Sequence, residues 1–150
     1  DMHELIQQVV DHQQLRVRES GGIMETDFRA VNHMVRADRF HLLNVVSNLV
    51  DNAIKYSVGH PEIYIRTLDL LDGCALEIED HGIGIKKEDL PYLFDKFYRV
   101  STGDVHNVKG FGIGLYYVKR VCDAHGFELS IQSEYKKGTI VRILLKNSHK

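Results

Sequence analysis

Several features that indicate membrane or secreted proteins are missing from this sequence of 150 residues. No apolar run approaches the ~20 residues that a membrane-spanning helix needs, and the first residues do not read as a signal peptide. We therefore expect a domain that makes no direct contact with a membrane. If the parent protein is membrane-anchored, its anchor is expected to lie outside these residues.

Cysteine is rare, and no zinc-binding pattern is present. Cys74 and Cys122 lie far apart in the chain, each among apolar residues. This placement favours reduced thiols in the core of a cytoplasmic domain over a disulfide framework, although the sequence leaves their pairing open. The nine histidines form neither a Cys/His cluster nor a His-Glu-x-x-His pattern. A histidine-based metal site is therefore not expected.

The chain also has no excess of positive charge. Its net charge of −2 argues against a general nucleic-acid-binding surface, although a local anion pocket is compatible with it. With 43% hydrophobic and 27% charged residues, the composition is typical of a globular protein. A chain of 150 residues can bury a core without crosslinks, so residues 1–150 are expected to form one domain.

The most informative stretch is NVVSNLVDNAIKY, residues 44–56. Asparagine is a poor helix former because its amide competes for backbone hydrogen bonds, so three asparagines are a costly choice for a solvated helix surface. The pattern predicts a largely buried helix whose polar stripe faces a ligand or metal, with a chance polar face as the alternative. On a helix at ~100° per residue, the stripe comprises His41, Asn44, Asn48, Asp51, Asn52 and Lys55.

The rest of the chain predicts a mixed sheet with helices on one face. A short helix is expected over 2–10, and a weak hairpin over 21–35, anchored by Phe28, Val31 and Val35. Asp38 is the expected N-cap of the central helix, which should end near Ser57. The later elements are strands 62–70 and 74–80 joined by Asp72-Gly73, a long irregular segment 85–112 with a helical turn at 90–97, a helix 113–125 ended by Gly126, and strands 127–133 and 139–145 joined across 136–138.

Asp80 lies at the end of the strand 74–80, on the same face as Cys74 and Ile78 by the two-residue period. A carboxylate that points toward the core needs a donor, because an unpaired buried charge costs several kcal/mol or becomes protonated. The glycine-punctuated bend 81–84 follows at once. We interpret Asp80 as an acceptor for a ligand N–H, such as an exocyclic amine. A carboxylate that pairs with an arginine or caps the turn is the alternative.

A second glycine run, GFGIGL at 110–115, leads directly into a helix. Backbone N–H groups at such a junction, together with the helix dipole, can bind phosphate oxygens. A flexible hinge is an equal alternative, since the run follows a loop rather than a strand and is not a Rossmann fingerprint. Before it, LFDKFYRV at 93–100 suggests either a mobile lid or a small satellite core. The possible anchors are Leu93, Phe94, Phe97 and Tyr98, and the cations placed to reach an anion are Lys96, Arg99 and Lys109.

Taken in order, NLVDNAIKYS, EDHGIGI, LFDKFYRV and GFGIGLYYVKRV resemble the N, G1, F and G2 boxes of the catalytic, ATP-binding domain of sensor histidine kinases. That domain shares its ATPase fold with gyrase B, Hsp90 and MutL. The resemblance covers about residues 5–145. It implies an α+β Bergerat fold, in which a mixed, mostly antiparallel sheet carries about three helices on one face and a long ATP lid.

The resemblance also implies ATP and Mg²⁺ as cofactors. Asn48 and Asn52 would serve Mg²⁺ and the phosphates, with Asn52 the firmer metal ligand, and Asp80 would accept a hydrogen bond from the adenine amino group. Asn48, Lys55 and Arg99 form the implied catalytic set. Phe111 departs from the family, which often has Thr or Ser there. The full implied nucleotide-binding set is Asn48, Asn52, Lys55, Tyr56, Asp80, Gly82, Gly84, Arg99, Lys109, Gly110, Phe111, Gly112, Ile113, Gly114, Leu115 and Thr139.

The chain lacks the phosphoacceptor pattern His-Glu-x-[Arg/Lys]-Thr-Pro, because His3-Glu4 continues as Leu5-Ile6. The resemblance therefore implies that the dimerisation and phosphoacceptor helices and the sensor domain lie outside these residues. The expected partners are those helices and the receiver domain of a response regulator, and no nucleic acid. The expected location is the cytoplasmic part of a membrane-anchored bacterial sensor kinase.

Asn48 bears on the reaction. Hydrolytic relatives of this fold place a glutamate at this position, where it can activate water as a general base, and an amide cannot take that proton. The resemblance thus implies transfer of the γ-phosphoryl group to an external histidine. Two alternatives are a non-catalytic nucleotide-sensing or interaction module and, less favoured, a hydrolytic ATPase of the gyrase or Hsp90 type.

Overall fold

The computed structural model describes residues 1–95 and 114–146. Within these ranges every helix is too short or too polar to cross a bilayer. A single turn of 3₁₀-helix lies at Leu90–Tyr92, where the sequence predicts a helical turn over 90–97. The helices are α1 (Met2–Glu19), α2 (Arg39–Lys55) and α3 (Gly114–His125), and the strands are β1 (Ile23–Phe28), β2 (Glu62–Leu70), β3 (Gly73–Asp80), β4 (Glu128–Glu134) and β5 (Gly138–Lys146).

The five strands form one open mixed sheet in the order β1-β2-β3-β5-β4. Only β1 and β2 are parallel in this sheet, and the other neighbours are antiparallel. Alternate residues of the central strands point to one face, where Ile65, Leu76 and Ile143 are fully buried. The helices α1, α2 and α3 contact β1, β3 and β4, respectively. The predicted α+β sandwich, with three helices on one face of a mostly antiparallel sheet, is confirmed.

Helix α2 lies at the centre of the helical layer and contacts both α1 and α3. Its N-cap is Asp38, as predicted, whose side chain accepts a hydrogen bond from the His41 N–H at 3.0 Å. The helix ends at Lys55, two residues before the predicted end. Seven apolar residues of α2 are buried against the sheet and the other helices: Leu42, Val45, Val46, Leu49, Val50, Ala53 and Ile54.

The predicted hairpin over 21–35 is wrong. Only β1 forms there, and it pairs in parallel with β2. The chain then leaves the sheet, because the N–H groups of residues 29–32 donate to Thr67 and to the Asp69 carboxylate rather than to a returning strand. Val31 is 85% exposed and anchors nothing, whereas Phe28 and Val35 do pack against the core.

Other element boundaries differ by smaller amounts. Helix α1 extends to Glu19 rather than residue 10, since its inward face continues to the fully buried Val17. In the β2–β3 hairpin Leu70 pairs with Gly73, so the turn residues are 71–72 rather than 72–73. Gly126, with φ of +73°, follows α3 as expected. Strands β4 and β5 lie within a residue of their predicted bounds.

The two cysteines are free and buried, with Cys74 0% and Cys122 1% exposed. Burial raises the pKa of each thiol to about 11. Both thiols are therefore protonated near neutral pH and poorly nucleophilic. The expectation of reduced core thiols is confirmed.

The sheet–helix interface should dominate stability. Ile65→Ala removes a side chain that is 0% exposed on the inner face of β2, and we expect it to lower the free energy of unfolding by about 2–5 kcal/mol. The matched control is Ile23→Ala on the edge strand β1, where the side chain is 43% exposed and the expected loss is below about 1 kcal/mol. Urea unfolding followed by circular dichroism measures both values. Equal losses would contradict the assignment of the core.

Candidate functional site

The polar stripe of α2 is half-buried, while the opposite side of the helix is packed into the core. Asn44, Asn48 and Asn52 all lie in this half-buried band, whereas Val45, Val46 and Val50 are 0% exposed. This confirms the prediction of a largely buried helix with an open polar stripe. The burial of one side of α2 fixes which side chains border the open cleft.

At the N-terminal end of the cleft, α2 faces the start of α3. The Asn48 amide Nδ2 donates to the Asn44 carbonyl at 2.8 Å. Its Oδ1 lies 3.4 Å from the position that a Cβ on Gly114 would occupy. The amide oxygen of Asn48 is therefore directed at the first turn of α3. Leu115, the next residue, packs against the core.

An open cavity of about 600 Å³ adjoins this junction. One of its polar contacts is the hydrogen bond between His41 Nδ1 and the Tyr117 hydroxyl at 2.7 Å, so His41 meets a side chain of α3. Sequence reasoning named Gly114 of α3 but missed Tyr116, Tyr117 and Arg120, because only tertiary packing brings these side chains to the cavity. The lining residues are Phe40, His41, Asn44, Asn48, Gly114, Tyr116, Tyr117 and Arg120.

Asp51 has a structural role that its position in the polar stripe of α2 did not indicate. Its carboxylate bonds Arg16 of α1 at 2.7 Å and Lys55 at 2.9 Å. Although burial acts to raise the pKa of Asp51, the hydrogen bonds from Arg16 and Lys55 lower it below its ordinary value. Asp51 therefore ties α2 to α1, and Lys55 is held beside it. The implied catalytic and nucleotide-binding roles of Lys55 stay predictions.

Asp80, the last residue of β3, lies beyond the C-terminal end of α2 and is only 8% exposed. Its Oδ1 accepts a hydrogen bond from the Gly82 N–H at 2.9 Å. Burial raises its pKa to about 6, against the lowering effect of the Gly82 and Thr139 backbone N–H groups. Asp80 thus points inward, as the strand period predicted, and carries a carboxylate that is expensive to keep ionised.

No arginine of the described ranges, residues 1–95 and 114–146, pairs with Asp80. The nearby arginines bond the outward-pointing acids of the same strand: Arg66 contacts Glu77 and Glu79, and Arg142 contacts Glu77. These pairs lie on the opposite face of the sheet from Asp80, because successive side chains alternate between faces. Asp80 does partly cap its own turn through Gly82, so that part of the alternative is present.

The bend 81–84 is clamped between the end of α2 and the β4–β5 hairpin. The Ile83 N–H donates to the Tyr56 carbonyl at 3.0 Å, and the Ile83 carbonyl accepts from the Lys136 N–H at 2.6 Å. A Cβ at Gly82 would lie 2.2 Å from the Tyr56 oxygen, and one at Gly84 would lie 2.1 Å from the Glu134 oxygen. Both glycines are therefore required by contacts with the chain's own backbone, and their contact with a nucleotide stays a prediction.

Ser133 in β4 is a further residue that the sequence did not single out. Its Oγ accepts a hydrogen bond from the Ile85 N–H at 2.7 Å and donates to the Gly138 carbonyl at 3.0 Å. It also lies 2.8 Å from the hydroxyl of Thr139, its partner in the strand register. Thr139 is thus fixed beside Asp80, with which it is paired across β3 and β5. Only the strand register, which the sequence does not specify, could have indicated Ser133.

The predicted site residues lie along α2 and just beyond its C-terminal end, at two separate cavities. Asn48 lines the cavity at the start of α3, whereas Asp80 and Thr139 line a second cavity beside the β4–β5 hairpin. Asn48 lies eight residues before Tyr56, about 12 Å along the helix at 1.5 Å per residue. The predicted residues Arg99, Lys109, Gly110, Phe111, Gly112 and Ile113 lie outside the described residues. One cavity thus offers a buried acceptor, Asp80, and the other offers the amide oxygen of Asn48 beside the start of α3.

Comparison with known proteins agrees with this geometry. The family model described as "Histidine kinase-, DNA gyrase B-, and HSP90-like ATPase" matches residues 37–149. The sensor protein RprX of Bacteroides fragilis is 42% identical over 98% of this chain, which corresponds to 29% of that protein. The sensor histidine kinase YkoH of Bacillus subtilis is 37% identical over 79% of this chain and 25% of that protein.

Solved structures show the same fold. The mycobacterial sensor histidine kinase MprB aligns over 97% of this chain and 94% of that chain, with a TM-score of 0.80 and 28% identity. The catalytic domain of histidine kinase ThkA covers 99% and 96%, with a TM-score of 0.81 and 24% identity, and supports the fold alone.

The chain spans less than a third of the length of the curated relatives named above. The four boxes in the sequence indicate the same family. With the family model matched over most of its length, the chain belongs to the family of histidine kinase-, DNA gyrase B- and HSP90-like ATPases.

Proposed function

We propose that this chain is the catalytic domain of a sensor histidine kinase, which binds Mg-ATP and donates the γ-phosphoryl group to a histidine on a separate phosphoacceptor domain. The observation that carries the proposal is the presence of a buried carboxylate acceptor, Asp80, at one end of the proposed nucleotide cleft and of an amide, Asn48, at the other. The sensor kinases among the relatives support it.

Asp80 supplies the adenine end of the proposed site. Its carboxylate is buried and receives only part of the hydrogen bonding that it could accept, from Gly82 and Thr139. An exocyclic amine would donate a further hydrogen bond to the ionised form. Such a donor offsets the desolvation of the carboxylate, so the same burial that raises the pKa of Asp80 favours binding of a purine amino group.

Asn48 and Asn52 supply the phosphate end. Both present amide oxygens on one half-buried face of α2, and hard oxygen ligands together with phosphates and water suit Mg²⁺. The Asn48 side chain is already oriented by its bond to the Asn44 carbonyl. The donor set therefore fits Mg²⁺, with Asn52 as the firmer ligand. When bound, the ion would neutralise charge on the phosphates.

The start of α3 lies where the transferred phosphates would be held. The amide oxygen of Asn48 faces Gly114, and N–H groups in the first turn of a helix attract anions. Arg99, Lys109 and residues 110–113 are proposed to complete the phosphate contacts, as members of the lid and G2 box. Phe111 would contribute only its backbone there.

The amide at position 48 favours phosphoryl transfer over hydrolysis. A glutamate would be able to remove a proton from an attacking water, whereas an amide has no basic lone pair for that step. The accepting imidazole needs no such base because it is already nucleophilic. The chain's contribution is then positioning and charge neutralisation. The proposed onward partner is the receiver domain of a response regulator.

Asp80→Asn should weaken binding of Mg-ATP at least about tenfold, because the amide that replaces the carboxylate is a weaker acceptor. Isothermal titration calorimetry measures the affinity. The mutant should be no less stable than the parent, since a buried charge is removed. Glu79→Gln, which changes the neighbouring outward carboxylate, is the matched control and should bind normally. Equal affinity in Asp80→Asn and the parent would contradict the role of Asp80.

Affinity for Mg-ATP should fall as the pH drops through about 6, the pKa to which burial raises Asp80. With that pKa the ionised fraction, and hence the affinity, should be about fourfold lower at about pH 5.5 than at about pH 7.5. The free energy of unfolding should change with pH in the opposite direction. The folded state binds the Asp80 proton more tightly than the unfolded state does. The stabilisation that this proton provides is therefore present at low pH and is lost as the pH rises toward about 6. Calorimetry at both pH values, with Asp80→Asn as the control that lacks this step, checks the assignment.

Incubated alone with γ-labelled ATP, the 150-residue chain should acquire no label, since its His3-Glu4 sequence does not match a phosphoacceptor. Fusion to the parent's phosphoacceptor helices should produce label that is stable in base and labile in acid, as phosphohistidine is. Label on the isolated chain would contradict the proposal. Nucleotide binding by the fusion without phosphohistidine would instead favour a non-catalytic module, and steady phosphate release by the isolated chain would favour a hydrolytic ATPase.

A further inference from the structure

A histidine pair and an aspartate meet at the start of α1, away from the proposed nucleotide cleft. His33 comes from the segment that follows β1, whereas Asp1 and His3 belong to the first turn of α1. One ring nitrogen of His3, one of His33 and one carboxylate oxygen of Asp1 all lie within 4.8 Å of one another. The sequence showed no metal-ligand spacing, because thirty residues separate the two histidines.

Several contacts hold the two rings in place. The imidazoles of His3 and His33 are stacked with centroids 4.0 Å apart, and the other face of His3 is stacked on Phe28 at 4.4 Å. The Met2 N–H donates to the His33 carbonyl at 2.8 Å, which fixes the backbone of His33 against α1. Both rings are therefore held close together at the start of α1. Because stacked rings direct their in-plane lone pairs nearly parallel to one another, one imidazole has to rotate about its side-chain bonds for both to ligate a single ion.

The hydrogen bonds to Asp1 and His3 resemble those that orient metal ligands in proteins. The Nε2 atom of His3 lies 2.7 Å from the hydroxyl of Thr67, a fully buried residue of β2. When this hydroxyl accepts from Nε2–H, the other ring nitrogen, Nδ1, keeps its lone pair for a metal. Asp1 Oδ1 accepts from the His3 and Glu4 N–H groups and lies 2.8 Å from His33 Nδ1. Its second carboxylate oxygen is then the natural ligand atom.

We propose that Asp1, His3 and His33 form a binding site for a divalent transition-metal ion of the Zn²⁺ type. Two imidazoles and one carboxylate are a ligand set that Zn²⁺ accepts, with water in the fourth position. Mg²⁺ and Ca²⁺, which prefer oxygen ligands, would bind poorly. The bound ion would link the start of α1 to the segment after β1, across the parallel edge of the sheet.

The test is a calorimetric titration of the metal-stripped chain with Zn²⁺. The parent should bind one ion, and His33→Ala should weaken binding at least about tenfold. Asp1→Asn should also weaken it at least about tenfold while keeping an acceptor for the helix N-cap. His12→Ala is the matched control, because His12 is an exposed histidine of the same helix outside the cluster, and it should bind as the parent does.

Two further readouts separate this site from binding elsewhere. Zn²⁺ at about ten times its dissociation constant should raise Tm by about 3–6 °C in the parent and the control, but not in His33→Ala. Co²⁺ should give a visible d–d spectrum that is lost in Asp1→Asn. Absence of binding by the parent would overturn the proposal. So would binding that His33→Ala and Asp1→Asn leave unchanged, which would place the ion on other histidines.

Discussion

The structure depends on the burial of α2 against the inner face of the sheet. Residues Val45, Val46 and Val50 are completely removed from solvent, and a side chain of this kind contributes about 1.5–3 kcal/mol when it is buried. This packing fixes the rotation of α2 about its own axis. Asn48 and Asn52 must then point into the cleft, so the orientation of the proposed phosphate ligands follows from hydrophobic packing rather than from polar contacts of their own.

The same constraint positions the other end of the cleft. Because α2 is fixed on the sheet, its last carbonyl groups are fixed as well, and Tyr56 accepts the N–H of Ile83. The bend 81–84 is thereby held close to the end of α2, with a separation at Gly82 that only glycine allows. Asp80, one residue earlier in the chain, is brought toward the cleft by this clamp. Packing of one helix thus sets the distance between the two ends of the site.

The sequence predicted most of the elements whose periodicity was strong. The α2 pattern, its cap at Asp38, the two central strands and the inward direction of Asp80 are all present in the structure. The prediction of a hairpin over 21–35 was wrong because β1 pairs in parallel with β2, which comes later in the chain. Such pairing leaves no local signal in the sequence. The roles of Asp51 and Ser133 and the meeting of His3 with His33 were equally hidden, since each depends on contacts between segments that only the complete fold brings together.

The strand β3 carries two neighbouring carboxylates whose pKa values shift in opposite directions. Glu79 points to the outer face, where, although burial acts to raise its pKa, the bonds from Arg66 and His81 lower it below its ordinary value. Asp80 points inward, and burial raises its pKa to about 6. Within the described residues, the alternation of side chains along the strand directs Arg66 to Glu77 and Glu79 rather than to Asp80. A buried carboxylate that no arginine neutralises gains more from an incoming hydrogen-bond donor than a paired carboxylate would. The two-residue period of β3 therefore does more than build the core: it places the Asp80 carboxylate on the side of the strand where the purine amino group is proposed to bind.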